Sequence, residues 1–116
     1  MDAATLNEWR RLIKQFLTEL VAIPYAGKSP PTAKTVFDES ADAYLVVVEG
    51  WDDVLRLHGC VAHLEIRDDK IWILLDGTEY GLATELVAAG VPKDHIVLGF
   101  KSPKSRAQSQ TGFAVA

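Results

Sequence analysis

The chain has 116 residues, 48% of them hydrophobic and 24% charged, a length that suits one domain with its own core and no disulfide or metal staple. Its formal net charge of -4 excludes a general phosphate-binding surface, which needs clustered Lys and Arg. Its one cysteine, Cys60, excludes an internal disulfide, and no apolar run approaches the about 20 residues that span a bilayer, so a cytoplasmic location without membrane attachment is expected.

Thr5–Ile23 reads as an amphipathic helix. Leu6, Trp9, Ile13, Phe16, Leu20 and Ile23 step by three and four along one stripe, widened by Leu12, Leu17 and Val21. Asn7, Arg10, Arg11, Lys14 and Thr18 take the other side, and with Glu8 their charges break up what a signal peptide would keep apolar. Thr5 and Glu8 have capping-box spacing, and Pro24 disfavours helical geometry at Ile23, so the helix stops there. Pro24–Pro31, with three prolines, a Gly and a Ser, is a loop.

Beyond the loop the apolar period changes to two. Thr35–Asp38 is a short strand. Tyr44–Trp51 is a second, apolar on both parities, as expected of a central strand covered on both faces. A turn at Trp51–Val54 leads into a long third strand, Val54–Arg67. Its apolar residues change parity, from Leu55 and Leu57 to Cys60, Ala62, Leu64 and Ile66. One extra residue near Gly59 restores a single face, so a β-bulge is expected there. Asp68–Asp69 closes a two-residue hairpin to Lys70–Leu75, which sets Ile66 opposite Ile71, Leu64 opposite Ile73 and Ala62 opposite Leu75.

The other side of this hairpin, with His63, Glu65, Trp72 and Leu74, is too apolar to face water alone. It implies a second cover, from another helix or a second subunit. Thr78 is placed to cap a helix through Ala89 whose inward residues are Leu82, Leu86 and Ala89, with Gly90 and Pro92 as its stop. Ile96–Phe100 is a last strand, and the connection from Asp76 is long enough for a parallel crossover. Lys101–Gln110 is polar and expected to be mobile, and Phe113–Ala116 is expected to dock back. The fold class is α+β: an N-terminal helix packed on a mainly antiparallel sheet of about five strands, with a second helix before the last strand, in a single domain 1–116.

Candidate chemistry is thin. His58 and His63 fall on the less apolar sheet face, near Glu65, and two imidazoles with a carboxylate form a zinc-type donor set. Their spacing fits no ligand signature, so they read first as surface or core-edge histidines. Asp52 or Asp53 followed by Asp68-Asp69-Lys70 fits the loose pattern of metal-dependent nucleases, where carboxylates hold Mg²⁺ and Lys orients water. Both acidic pairs also stand where tight turns need Asp. Asp76-Gly77-Thr78-Glu79 ends a strand and opens a helix, an arrangement that suits an anion or, more simply, a turn and a cap. Cys60 falls on the expected core parity, where a buried thiol is a poor nucleophile. Lys101, Lys104 and Arg106 form a short basic stretch better suited to solubility than to phosphate binding. Of Trp9, Trp51 and Trp72, the last is best placed to anchor an interface, with Leu74, His63 and Glu65 around it. No catalytic residue, cofactor or metal site is expected.

From Gly50 onward a series of blocks stands out: Gly50-Trp51-Asp52, Arg56-Leu57-His58-Gly59-Cys60, Lys70-Ile71-Trp72-Ile73 and Asp76-Gly77-Thr78-Glu79. The run from Ala83 to Lys93, Ile96–Phe100, Thr111–Ala116 and the earlier Ile23-Pro24-Tyr25 join them. In these blocks the chain resembles the XisI family, the cyanobacterial fdxN element excision controlling factors, over nearly its whole length. The resemblance marks Trp51, Arg56, His58, Gly59, Asp76, Gly77, Thr78 and Glu79 as family-motif residues. It implies a role and not a reaction: an accessory factor for excising a DNA element that interrupts nitrogen-fixation genes in developing heterocysts. Such factors act beside a site-specific recombinase and a nuclease-like companion, XisH. Two departures stand out: Leu74-Leu75 replaces a more polar pair, and Lys104–Gln110 differs from the family's charged segment. The implied partners are a second copy of the chain and a XisH-like companion, with the recombinase and DNA reached indirectly. Two other functions stand beside this one: a metal-dependent nuclease or hydrolase using His58, His63 and nearby acids, and a direct DNA-binding accessory protein.

Overall fold

Helix α1 spans Ala3–Ala22 and buries Trp9, Leu12, Ile13 and Leu17, as its apolar stripe predicts. The structure, a computed structural model, describes residues 2–108 and 111–115. The start of α1 is set by Asp2 and not by the expected Thr5–Glu8 box: the Asp2 carboxylate accepts the Thr5 backbone N–H at 2.8 Å. Glu8 instead accepts from the Arg11 guanidinium. The end is as expected, with Ile23 extended before Pro24, and Ile23 is therefore off the stripe and 62% exposed.

The sheet has five strands: β1 (Thr32–Asp38), β2 (Ala43–Asp52), β3 (Leu55–Arg67), β4 (Lys70–Asp76) and β5 (Ile96–Leu98). Their order in space is the order in the chain. The first four form an antiparallel meander, and β5 lies parallel to β4. Helix α2 (Leu82–Ala88) makes that crossover, and a 3₁₀ turn at Lys93–His95 leads into β5. The hairpin turns are closed by aspartates in left-handed geometry, Asp53 at φ 54° and Asp68 and Asp69 at φ 50° and 60°.

The bulge is present, two residues past Gly59: Val46 faces Ala62 and Val47 faces Cys60, so Val61 has no opposite. This corrects the placing of Cys60. It lies opposite Val47 on the second side of the sheet, half-buried, where its S–H donates to the Ala62 carbonyl at 3.0 Å. A second shift, in β4, was not expected. Ile66–Ile71 and Leu64–Ile73 pair as predicted, but Leu74 is extra, so Ala62 meets Asp76 and Leu75 meets His63.

Both helices pack on one side. Tyr44, Val46, Ala62, Leu64, Ile71 and Ile73 meet Trp9, Ile13 and Leu17 of α1 and Leu82 and Leu86 of α2. Strand β2 is thus covered by the helices on one face only, and Leu45 and Val47 on the other are half-buried. Two aspartates tie the layers together. Asp42, at φ 50°, receives Arg10 Nε and Nη2 at 2.8 and 2.9 Å and the hydroxyl of fully buried Tyr44 at 2.8 Å. Asp76 accepts the Thr78 N–H at 2.9 Å through one oxygen and the Leu82 N–H at 2.7 Å through the other. Helix α2 therefore begins at Leu82 rather than at Thr78, whose hydroxyl accepts from Gly81 N at 3.1 Å. The helix ends in a Schellman turn: Gly90, at φ 104°, donates to Val87 O and Val91 to Leu86 O. Ala89, read as inward, is exposed past the helix end.

The segment expected to be mobile carries a short helix, α3 (Pro103–Gln108); the part of that expectation at Ser109 and Gln110 lies outside the described residues. The last residues dock as expected, with Ala114 bridged to Val97 and its N–H donating to Ile96 O at 2.9 Å. Ala116 lies outside the described residues.

Two stability predictions follow from these ties. Hydrogen bonds from Arg10 hold the Asp42 carboxyl below its usual range, against the opposing effect of burial. The stabilisation is therefore complete above the unfolded value near pH ~4 and is lost as pH falls through the lower folded value. Asp42→Asn, which keeps a residue at ease in left-handed geometry, should cost about 1–3 kcal/mol at pH 7. Urea unfolding across pH should show that difference shrinking below pH ~4; a gap independent of pH would show that the charge is not its source. A Cβ at Gly77 would lie 2.8 Å from Val61 O, while one at Gly59 meets nothing within 4 Å. Gly77→Ala should lose about 2–3 kcal/mol and Gly59→Ala no more than about 0.5, read by thermal unfolding.

Candidate functional site

The β2–β3 hairpin outruns the helices. At about 1.5 Å per residue α1 is about 30 Å long, whereas the 13 residues of β3 extend about 43 Å. From Glu49 to His58 the hairpin forms an arm, and Trp51, Val54, Leu55 and Leu57 are 58%, 80%, 67% and 45% exposed. The bulge does return Leu55 and Leu57 to the core-facing parity, opposite Asp52 and Gly50. No helix reaches them there, so the sequence places them in the core and the structure places them outside it. The difference in length between helix and strand was the signal available.

The arm is braced at its base. Arg56 Nη1 donates to Glu49 Oε2 at 2.8 Å, and its guanidinium lies 5.3 Å over the Trp51 ring. Thr32 Oγ1 donates to Glu49 Oε1 at 3.0 Å. Arg56 first, then Thr32, holds the Glu49 carboxyl below the ordinary carboxylate range. Gly50 lets the arm pass close to Pro31, and a cavity of about 420 Å³ separates the Ala26–Ser29 loop from Trp51, Asp52 and Leu57. The family-motif residues Trp51, Arg56 and His58 are all exposed.

On the second side of the sheet the structure joins the expected interface residues into one network. His63 Nε2 meets Glu65 Oε2 at 2.7 Å, and Arg67 Nε donates to Glu65 Oε1 at 2.9 Å. Burial pushes the Glu65 carboxyl up, but the bonds from His63 and Arg67 outweigh it and leave the carboxyl below its usual range. Trp72, opposite Glu65, has the guanidinium groups of Arg67 and Arg106 at 5.2 and 5.3 Å from its ring. Arg106 also donates to Lys101 O at 2.6 Å and Val115 O at 3.1 Å. A Cβ on Gly99 would fall 2.8 Å from Leu74 and 3.3 Å from Trp72, so the chain runs close over both. Part of the expected cover is thus the protein's own C-terminal segment. The indole Nε1–H of Trp72 is buried with no acceptor among the described residues. Val36 and Leu75, 43% and 37% exposed, remain open on this side.

The other groupings come apart. His58 stands on the arm opposite Glu49, away from the His63–Glu65 pair, and among the described residues no three His, Cys, Asp or Glu side chains gather as metal ligands. Asp52 and Asp53 adjoin the β2–β3 turn, while Asp68 and Asp69 form the β3–β4 turn. These turns lie at opposite ends of β3, about 40 Å apart, so the nuclease-like pairing of acids is not assembled. The start of α2 is occupied by the chain's own Asp76 carboxylate, and Glu79 is exposed beside it. The arm and the second side of the sheet present apolar and aromatic side chains held by ion pairs.

Comparison with known proteins agrees with the blocks read in the sequence. The family model described as XisI protein matches residues 1–115. A crystal structure of a XisI-like protein from Anabaena variabilis ATCC 29413 superposes with a TM-score of 0.83 at 31% identity, covering 94% of this chain and 99% of that one. A second, of the fdxN element excision controlling factor XisI from the same organism, gives 0.81 at 30% identity, covering 96% and 98%. No curated protein matches the chain. The chain belongs to the XisI family.

Proposed function

We propose that this protein is an accessory factor controlling excision of a DNA element, and that it acts by holding protein partners rather than by chemistry of its own. The observation that carries this reading is the arm, whose four large apolar side chains project beyond the core. Exposed apolar groups of this kind mark contact surfaces in a folded domain. The family supports the biological role, since one solved member is an fdxN element excision controlling factor. In this reading the strand exchange belongs to a site-specific recombinase, and the work is done in the cytoplasm of a developing heterocyst. No helix among the described residues is long and apolar enough to cross a membrane.

Two partners are proposed: a second copy of the chain and a XisH-like companion. DNA is reached through them, in keeping with the net charge of -4. Co-expression with a XisH-like protein should yield a complex that survives gel filtration. Trp51→Ala combined with Leu55→Ser should weaken it by about 10- to 100-fold without lowering the melting temperature, because neither side chain is part of the core. A complex indifferent to the arm would reject this surface. Sedimentation of the protein alone should give twice the 12.7 kDa chain mass, and a monomer at every concentration would remove the homodimer.

A further inference from the structure

On the helical side of the molecule, the C-terminal end of α1 and the loop before α2 enclose a cleft of about 650 Å³. Its walls are apolar and aromatic: Phe16, Leu20, Ile23, Tyr25 and Tyr80. Phe16 and Leu20 are packed on the core, but Ile23, Tyr25 and Tyr80 are 62%, 46% and 68% exposed. Three carboxylates, Glu19, Glu79 and Glu85, complete the lining, and no Lys, Arg or His lines it among the described residues.

We propose that this cleft docks a segment of a partner protein that presents a Lys or Arg side chain between apolar ones. Three features of the cleft call for a cation. The carboxylates have no counter-charge among the described residues, where Glu19 accepts a neutral amide from Gln15 at 3.0 Å. The negative pole of the 20-residue helix α1 opens here, and its last turn carries no basic residue to offset it. Glu85 lies beside Glu19 and Asp76, and its carboxyl is pushed up first by burial and then by their charges. The walls supply the rest. Apolar side chains exclude water, and Tyr25 and Tyr80 offer ring faces of the kind that attract guanidinium and ammonium groups. A bare cation would leave the apolar walls wet and an apolar segment would leave the carboxylates unpaired; a basic residue flanked by apolar ones satisfies both.

The inference belongs with a protein that works through partners, but its test does not depend on any particular companion. The probe is a blocked helical peptide of about 12 residues with leucines on one stripe and arginines beside it, set against the same peptide with glutamates for the arginines. In amide NMR spectra the arginine peptide should shift Ile23, Tyr25, Tyr80 and Glu85, and the glutamate peptide should not. Glu19→Gln with Glu85→Gln should weaken the arginine peptide about 5- to 10-fold, and Tyr80→Ala about 10-fold. All three side chains lie outside the core cluster, so the fold should survive each change. Equal binding of the two peptides overturns the proposal. So do shifts confined to other surfaces, no binding at about 1 mM, or arginine amide alone binding as tightly as the peptide, which would make the cleft a small-molecule site. A companion that fails to associate while the peptide still binds the cleft would reject the proposed function and leave this inference standing.

Discussion

The pairing of β2 with β3 is the longest in the sheet, and one residue of β3, Val61, has no counterpart in it. Much of the molecule depends on that single insertion. It changes which side of the sheet each residue of the outer hairpin faces, so Leu55 and Leu57 take the helical side while His58 and Cys60 take the other. On the β4 side Val61 continues the β3–β4 register, and its carbonyl accepts the Gly77 N–H at 2.8 Å. That bond fixes the end of β4. The extra Leu74 then brings Asp76 to the helical side, opposite Ala62, where its carboxylate can hold the first turn of α2. The Asp76-Gly77-Thr78 block is therefore a structural latch between a bulge and a helix start: aspartate for its two acceptors, glycine for the close approach, threonine for its hydroxyl.

The two sides of the sheet have different fates. One carries both helices, with Asp42 joining α1 to the start of β2 and Asp76 joining α2 to the end of β4. Their carboxylates accept the hydroxyl of buried Tyr44 and the first N–H of α2, and no charged side chain is buried among the described residues. The other side carries neither α1 nor α2. There a chain of His63, Glu65, Arg67, Trp72 and Arg106 runs from β3 to α3 and anchors the C-terminal segment.

Local patterns carried most of this architecture. The helical stripe, the period-two strands, the Asp68–Asp69 turn and the Gly90 stop each express short-range physics that a few residues are enough to reveal. The parity change in Val54–Arg67 even exposed the bulge. What the sequence could not show was how far each element is covered. Alternating Leu55 and Leu57 look like core whether or not a helix lies over them, because period reports facing and not depth. The same limit applies to the cleft, which joins residues near position 20 to residues near position 80. The second bulge, at Leu74, was hidden because Leu74 and Leu75 are both apolar and either register keeps an apolar pattern. The family blocks resolved none of this, since they mix latch residues such as Gly77 with exposed ones such as Trp51.

The sheet also has two unlike rims. On the β5 side the rim is three residues long, and the chain folds Ala114 against it. On the β1 side seven residues, Thr32–Asp38, pair with β2 and with no other strand among the described residues. A polypeptide that can lengthen at one rim alone cannot grow without end. Two copies that join there face each other across a two-fold axis and exhaust the available hydrogen-bonding groups in doing so. With Ala114 laid along β5, the rim left open to a further strand among the described residues is the one at β1.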